Sequence, residues 1–295
     1  MAAHETTHLR RSFLYVPGCE ERKVAKAASL GADAVLLDFE DAVAEERKAA
    51  ARELVRRLLP EQPRERVEWL IRVNAIDGPH FDADLDAAVA AGPDAVVIPK
   101  VVGPETLRAA AERLAAAERK GSRPVGGIRL FAMIENARAV LNAFPIATAT
   151  PRLTGLLLGH VDLSLDLGIT PGPAGTGTIL HARCQLVLAA RAAGVDLIDC
   201  VYLNMRDEEG LRFEAAQAAA LGFAGKQAIH PGQLPLIHAA FTPSLERVER
   251  ARRILAAWTA AQAAGKGVVA LDGELLELPV VAMEELILAR ARPGR

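Results

Sequence analysis

Acidic and basic side chains follow several short apolar segments of this sequence. These polar groups are Asp38, Glu40, Asp41, Arg72, Asn74, Lys100, Glu135, Asp162, Asp199 and His230. Carboxylates crowded at one place repel each other and bind protons more tightly unless a cation compensates them. Two or three carboxylates, completed by water and substrate oxygens, form the ligand set of Mg²⁺, whereas zinc would need His or Cys groupings. The pattern predicts a Mg²⁺ site, with Mn²⁺ as the alternative ion, and Glu135 and Asp162 form the best ligand pair.

The same carboxylates could instead cap the helices that follow them, a common role of Asp and Glu. This alternative stays open for Glu135 and Asp162, and above all for Asp38 and Asp41.

Arg72 follows the apolar pair Leu70 and Ile71. An arginine is costly to desolvate there unless it pairs with anions, so we expect it to bind a substrate carboxylate or an oxygen that gains negative charge. An ion pair with Glu40 or Asp38 that only ties strands together is the alternative, and the two roles are compatible. Among the scattered histidines, we place His230 near the site, although it could be only a turn residue.

The elements that must position these groups alternate between β-branched or Leu-rich runs and Ala-rich runs with helical spacing. Predicted strands are residues 13–16, 34–38, 69–73, 95–99, 129–134, 154–159, 196–201 and 225–229. Predicted helices are residues 21–30, 45–58, 82–91, 104–119, 179–193, 208–221 and 230–241. Eight βα units predict an α/β protein with a TIM (β/α)₈ barrel, whose chemistry sits at the carboxyl ends of its strands. An open doubly wound sheet is less favoured, because the first turn reads Pro17-Gly18-Cys19-Glu20 instead of a glycine-rich nucleotide motif.

Two regions follow from this pattern. Residues 1–242 are predicted to form the catalytic barrel, and residues 243–295 a C-terminal helical extension, with helical patterns at 244–264 and 268–290. The extension could act as a clasp or lid over the barrel, or as an arm that contacts a neighbouring subunit.

Composition excludes several other classes of protein. The 295 residues are 51% apolar and 4% aromatic with a net charge of −2, so we expect no nucleic-acid partner. No apolar run approaches the ~18 residues that a bilayer requires, and the first ten residues lack the apolar core of a signal peptide, so we expect a cytoplasmic protein without a membrane partner. Cys19, Cys184 and Cys200 are too few and too widely spaced for a disulfide framework or a structural zinc site.

Several motifs occur in order along nearly the whole chain. They are Arg11-Ser-Phe-Leu-Tyr-Val-Pro-Gly18, Gly31-Ala-Asp-Ala-Val-Leu-Leu-Asp38-Phe-Glu40-Asp41-Ala-Val, Arg72-Val-Asn74, Pro99-Lys100, Glu135, Gly159-His-Val-Asp162-Leu and Gly225-Lys226-Gln-Ala-Ile-His230-Pro231-Gly-Gln233. In this set the chain resembles the citrate lyase β-subunit-like proteins of the HpcH/HpaI aldolase superfamily. The resemblance implies a TIM barrel, a homotrimer or a dimer of trimers, and Mg²⁺-dependent cleavage or formation of a carbon–carbon bond in a 3-hydroxyacyl thioester.

The resemblance also implies roles for individual residues. Glu135 and Asp162 carry over as metal ligands, and Arg72 as the residue that faces the thioester and enolate oxygens. Glu40 would act in catalysis, and Asp41 would join it in orienting metal-bound water.

Further expectations concern the groups around this centre. Asp38 is expected beside the ligands as a supporting carboxylate. The segment from Lys226 to Gln233, with His230, is expected to contact the substrate and to help form a coenzyme A channel.

Two positions depart from the pattern of the malyl-CoA lyase-like relatives. Those relatives offer an aspartate from the C-terminal segment to the neighbouring subunit's site for proton transfer, and Glu277 stands at the matching place here, with Asp272 nearby as the alternative. Those relatives also carry an arginine shortly after the Pro-Gly of the first strand. Glu20 stands at that position here, and an arginine, Arg22, follows two residues later.

The expected function is therefore cleavage of malyl-CoA, citramalyl-CoA or a citryl thioester to acetyl-CoA and a keto acid. Alternatives are hydrolysis of the thioester, a malate synthase-like condensation, and a pyruvate-type aldolase acting on a free acid. A further alternative is the β subunit of a citrate lyase complex, which would meet an acyl carrier protein, either as a catalyst or as a scaffold.

Overall fold

The computed structural model describes residues 9–172, 177–265, 268–271 and 273–291. Eight parallel strands form a closed barrel in which each strand pairs with its neighbours in sequence and β8 pairs with β1. The strands are β1 (Ser12–Pro17), β2 (Ala34–Asp38), β3 (Glu68–Arg72), β4 (Ala95–Ile98), β5 (Arg129–Ile134), β6 (Leu153–Leu158), β7 (Asp196–Asp199) and β8 (Gly225–Ala228). The predicted TIM barrel is thereby confirmed, with all eight strands within two residues of their expected ends.

Helices surround the barrel and follow its strands. Their bounds are α1 (Glu21–Lys26), α2 (Lys48–Leu58), α3 (Phe81–Ala91), α4 (Pro104–Lys120), α5 (Ala137–Leu141), α6 (Ala143–Ala147), α7 (His160–Asp166), α8 (Gly177–Ala193), α9 (Glu208–Leu221), α10 (Leu234–Phe241), α11 (Leu245–Ala263) and α12 (Leu278–Arg290). Short 3₁₀ turns occupy Ala27–Leu30, Glu45–Arg47, Leu59–Glu61 and Pro231–Gln233. The helices α5, α6 and α7 were not predicted, because runs of five to seven residues are too short to show a 3.6-residue period.

Apolar side chains divide between two layers because successive residues of a strand face opposite sides. One set, including Leu36, Leu70 and Phe131, fills the inside of the barrel. The other, including Val35, Leu37 and Ile71, packs against the surrounding helices.

The same alternation brings polar side chains into the mouth of the barrel. Asp38 comes two residues after the inward-facing Leu36, and Arg72 two residues after Leu70. The Cα atoms of Asp38 and Arg72 are also direct partners in the β2–β3 register. Two neighbouring strands therefore end in a carboxylate and a guanidinium that face the same space.

The C-terminal part packs mainly on itself. Helix α11 begins at the N-terminal face of the barrel, where Thr242 accepts a hydrogen bond from Arg11, the residue before β1. A two-stranded antiparallel hairpin, β9 (Val269–Leu271) and β10 (Glu274–Leu276), and then α12 fold back on α11. Ile254, Trp258, Leu276 and Val281 form a separate small core there.

The hairpin was not predicted, since strands of three residues carry too little pattern to be recognised. In the described part of the chain, no helix combines the length and apolar character needed to span a bilayer.

Candidate active site

Arg72 and Asp38 form the fixed part of the barrel mouth. Arg72 Nε donates to Asp38 Oδ1 at 2.8 Å, and Arg72 Nη2 donates to Asp38 Oδ2 at 2.6 Å. The Asp38 carboxylate also accepts from the backbone N–H groups of Glu40 and Ala42. The expected ion pair therefore exists, and it orients Arg72 so that Nη1 points away from Asp38.

Glu40 lies between two cations. Its Oε2 is 2.9 Å from Arg72 Nη1, and its Oε1 is 3.0 Å from Lys100 Nζ. Both oxygens are enclosed, yet neither accepts a hydrogen bond of good geometry among the described residues. Burial and the charge of Asp41 raise the pKa of Glu40 to about 7, against the opposing effect of Arg72 and Lys100. Glu40 is therefore a carboxyl group that can exchange a proton near neutral pH.

Glu135 follows β5 and is almost completely buried. The backbone N–H of Lys100 donates to its Oε1. Burial, with the charges of Glu40 and Asp162, raises the pKa of Glu135 to about 8. A Cβ atom at position 159 would lie 2.8 Å from Glu135 Oε2, so Gly159 leaves the space that this carboxylate fills.

Asp162 lies in the first turn of α7, which starts directly after β6. Its carboxylate is partly exposed and neither caps α7 nor hydrogen-bonds to any described residue. The alternative of a capping role therefore fails for Asp162. Its charge contributes to the raised pKa of Glu135.

These donors fit a hard divalent cation. Glu135 Oε2 and the Asp162 carboxylate are oxygen donors without a hydrogen-bond donor in the described ranges, and the charge of Glu40 also acts on Glu135. Oxygen ligands with several places left for water or substrate suit Mg²⁺. Asp41, more than half exposed, places Oδ2 3.3 Å from Arg72 Nη1 at the edge of the same group.

A cavity of about 380 Å³ adjoins this group, and Glu40, Asp41 and Lys100 form part of its wall. Behind them, the buried ammonium of Lys48 donates to the carbonyl oxygens of Phe39 and Glu40 and to Asn74 Oδ1. Lys48 holds the turn that carries Glu40. Sequence reasoning missed Lys48, because a lysine within a helical pattern looks like a solvated surface residue.

Tyr15 was also missed as a site residue. Its hydroxyl donates to Gln227 at 2.8 Å, and its ring lies 5.1 Å from the Arg72 guanidinium carbon. The period-two pattern of β1 was the available signal, since Tyr15 faces the same way as the interior residue Phe13.

Lys226 corrects an expectation. Its side chain is fully buried, and Nζ lies 2.8 Å from Asp199 Oδ2 and 2.6 Å from Glu214 Oε1. Arg183 binds the other side of Asp199 with two hydrogen bonds of 3.0 Å. Lys226 is thus part of an internal charge network and is not placed to contact substrate.

Asp199 belongs to that network and does not join the carboxylates of the barrel mouth. Asp199, Cys200 and Glu214 are close enough to hold a metal ion by distance alone. However, Arg183 and Lys226 already neutralise the carboxylates, and burial raises the pKa of the Cys200 thiol well above its usual value. This group does not offer the ligands that Mg²⁺ requires.

His230 and Glu277 are both exposed. His230 caps the 3₁₀ turn at Pro231–Gln233, where its Nδ1 accepts from the N–H of Gly232 at 3.1 Å. Glu277 precedes α12, where its carbonyl oxygen accepts from the N–H of Val281, and its side chain makes no hydrogen bond or ion pair within the described residues. Among the described residues, neither side chain forms a hydrogen bond or an ion pair with Glu40, Glu135 or Asp162, and Asp272 lies outside the described residues.

The chain is similar to known proteins in both sequence and fold. The profile of the family described as HpcH/HpaI aldolase/citrate lyase matches residues 11–231. Citrate lyase subunit beta of Haemophilus influenzae is 37% identical over 286 residues, covering 97% of this chain and 98% of that protein. A (3S)-malyl-CoA thioesterase of Cereibacter sphaeroides is 40% identical over 295 residues, covering 98% and 96%.

Among solved structures, the chain is similar to the protein CitE from Mycobacterium tuberculosis in complex with magnesium, acetoacetate and coenzyme A. The TM-score is 0.78 at 32% sequence identity, and the match covers 97% of this chain and 99% of that one. With sequence and fold in agreement over nearly its whole length, the chain belongs to the HpcH/HpaI aldolase/citrate lyase family.

Proposed function

We propose that this protein is a Mg²⁺-dependent carbon–carbon lyase that cleaves a 3-hydroxyacyl-CoA thioester of the malyl, citramalyl or citryl type. The observation that carries the proposal is the grouping of Arg72, Glu40, Glu135 and Asp162 at the carboxyl ends of the strands. The Mycobacterium tuberculosis relative, which holds magnesium, acetoacetate and coenzyme A together, supports this ligand chemistry.

Glu135 and Asp162 would hold the metal. The ion, when bound, would supply a Lewis acid for the hydroxyl and carboxylate oxygens of the substrate. Glu40, a buried carboxyl group close to Arg72 and Lys100, takes the proton of the 3-hydroxyl group. The C2–C3 bond then breaks, C3 becomes the carbonyl carbon of the keto acid, and the bonding electron pair passes into the thioester as an enolate.

Arg72 stabilises that enolate. Its Nε and Nη2 are held by Asp38, and Nη1, which lies 2.9 Å from Glu40 Oε2 and 3.3 Å from Asp41 Oδ2, would donate to an oxygen that gains negative charge once Glu40 has taken up its proton. A proton delivered to C2 completes acetyl-CoA. We assign that proton to Glu277 of a second copy of the chain.

We propose assembly into a trimer or hexamer, and the course of the extension supports a role for it at a neighbouring subunit. Helix α11 starts at the N-terminal face, and α12 ends there, where Arg290 lies near Asp196 at the start of β7. The extension packs on itself and starts from the face opposite the carboxylates. Glu277 therefore serves a neighbouring barrel more readily than its own.

The test is a panel of thioesters supplied to the purified protein. With Mg²⁺, we expect acetyl-CoA together with glyoxylate, pyruvate or oxaloacetate from malyl-CoA, citramalyl-CoA or citryl-CoA, and no turnover in EDTA. Undiminished rates in EDTA would contradict the proposal.

Two alternative functions, a thioesterase and a citrate lyase β subunit, are supported by the names of relatives and would give different products or substrate requirements in this assay. Release of free coenzyme A and the hydroxy acid would show a thioesterase, as the name of the Cereibacter sphaeroides relative suggests. Turnover only with a citryl-acyl carrier protein would show a citrate lyase β subunit, as the name of the Haemophilus influenzae relative suggests.

A further inference from the structure

Lys100 has an unusual backbone. It directly follows the proline after β4, and its φ of +52° lies in the left-handed region. Among described residues other than glycine, only Ser122 shares a positive φ. This conformation is disfavoured for a residue with a Cβ atom, and such strain concentrates at functional sites.

The left-handed turn directs the two ends of Lys100 to different carboxylates. Its N–H donates to Glu135 Oε1 on the neighbouring strand. Its ammonium lies 3.0 Å from Glu40 Oε1, after β2. One residue thus connects the carboxylate that would bind the metal with the carboxylate that would take the substrate proton.

The two contacts leave specific atoms available. With Oε1 of Glu135 engaged by the N–H of Lys100, Oε2 remains beside Gly159 without a described donor. Each oxygen of Glu40 has one cation close to it, Arg72 Nη1 at 2.9 Å from Oε2 and Lys100 Nζ at 3.0 Å from Oε1. An exposed ion pair alone contributes little, and the ammonium of Lys100 is about half exposed. The N–H bond to Glu135 anchors the backbone of Lys100, and so fixes the point from which its side chain reaches Glu40.

We propose that Lys100 is a positioning residue for catalysis, whose backbone N–H orients Glu135 for the metal and whose ammonium orients Glu40 for proton transfer. The inference rests on the proposed function and assigns separate roles to two parts of one residue. Those roles can be separated by substitution.

Lys100→Met keeps the side-chain length and removes the charge, and Lys100→Gly keeps the left-handed backbone without a side chain. Both should lower kcat about 10–100-fold, the range for losing a group that orients a ligand or catalyst, with KM changed much less. Both should bind Mn²⁺, measured by electron paramagnetic resonance without substrate, within about threefold of the wild type, because the N–H still reaches Glu135. Lys100→Arg, which keeps the positive charge, should retain most of the turnover of the wild type.

Lys100→Val tests the backbone, because a β-branched residue resists positive φ. It should lose turnover and also bind Mn²⁺ about 10–100-fold more weakly. Ser122→Val is the matched control: Ser122 has a φ of +53° in the loop between α4 and β5 and should show a similar loss of Tm with unchanged Mn²⁺ affinity.

Three results would overturn the proposed function or one of the two roles of Lys100. A wild-type protein that binds no Mn²⁺ and cleaves no thioester overturns the proposed function itself. A wild type that binds and cleaves, with Lys100→Gly equally active, overturns the role of the ammonium. A folded Lys100→Val with unchanged Mn²⁺ affinity overturns the role of the N–H.

Discussion

The guanidinium of Arg72 and the carboxylate of Asp38 meet in two parallel hydrogen bonds of 2.8 and 2.6 Å, between residues whose Cα atoms are partners in the β2–β3 register. A bidentate pair of this kind fixes direction as well as charge. It orients Arg72 so that Nη1 faces Glu40 and the space in which a substrate would bind at the mouth of the barrel.

Asp38→Asn should therefore impair turnover more than it impairs folding. The amide can accept only one of the two hydrogen bonds, so Arg72 gains freedom, and we expect kcat to fall about 10–100-fold. The matched control is Asp33→Asn, which breaks a similar two-bond pair with Arg11 at the opposite face of the barrel. Steady-state kinetics and Tm should show loss of activity only for Asp38→Asn, and equal rates in both variants would remove Arg72 orientation from the mechanism.

Gly159→Ala should disable the metal site by shape alone. The φ of Gly159 is −99°, which alanine tolerates, but the new Cβ would lie 2.7 Å from Glu135 Cβ and 2.8 Å from its Oε2. Displacement of that carboxylate should weaken Mg²⁺ binding about 10–100-fold, measured by calorimetry. Gly172→Ala, where no atom of the described residues lies closer than 4.0 Å to the new Cβ, should leave binding unchanged. Wild-type affinity in Gly159→Ala would argue against Glu135 as a ligand.

The metal-free protein should lose stability as the pH rises. Burial raises the pKa of Glu135 to about 8 and that of Glu40 to about 7, from 4.5. A carboxyl group whose pKa is raised by folding stabilises the folded state fully below pH 4.5, and that contribution is lost as the pH rises through the folded pKa.

In EDTA at pH 8.5, Glu135→Gln should consequently have a higher Tm than the wild type by several degrees, since ~1 kcal/mol moves the Tm of a domain of this size class by ~2–4 °C. The difference should vanish near pH 4.5. Mg²⁺ should raise the Tm of the wild type but not of Glu135→Gln. Thermal scans across pH measure this difference. A Glu135→Gln variant that is less stable than the wild type at pH 8.5 would show that the ionised Glu135 carboxylate does not destabilise the folded protein.

Lys226→Met should damage stability first. It leaves Asp199 and Glu214 in the interior with one fewer cation, and breaking such a buried network typically costs about 3–5 kcal/mol. Urea denaturation should show that loss. In whatever fraction folds, the KM for the thioester should match the wild type, and a raised KM with unchanged stability would restore Lys226 as a substrate contact.

Glu277→Gln should fold normally and lose turnover, because its exposed side chain has no described partner. Co-expression with Glu135→Gln, which has the opposite defect, tests where Glu277 acts. If each barrel uses a neighbour's Glu277, random mixed oligomers should regain about a quarter of wild-type activity. Mixed oligomers that remain inactive would place Glu277 within its own subunit's site or outside the mechanism.

The barrel could be predicted because its signal is repeated. Each strand is a short apolar run bounded by polar residues, and errors at single boundaries do not change the number of βα units. Arg72 and Glu135 could be found for a related reason, since a charged residue directly after an apolar strand is visible in the sequence.

Pairing across the sequence was harder to predict. Asp199 lies in one predicted strand and Lys226 stands near the start of the next. Nothing in the sequence shows that their charges neutralise each other in the interior of the protein. Lys100 was noted only as part of a Pro-Lys pair, because neither its backbone angle nor its two carboxylate partners are visible in one dimension. A resemblance to a family also carried more of the functional prediction than the residues did alone.

The small core of the C-terminal part has an evolutionary consequence. Since Ile254, Trp258, Leu276 and Val281 pack among themselves, the segment that holds Glu277 can diverge without disturbing the eight strands. Exchange of this C-terminal segment between relatives would give the same barrel a different proton donor, and the same enolate would then yield a different product.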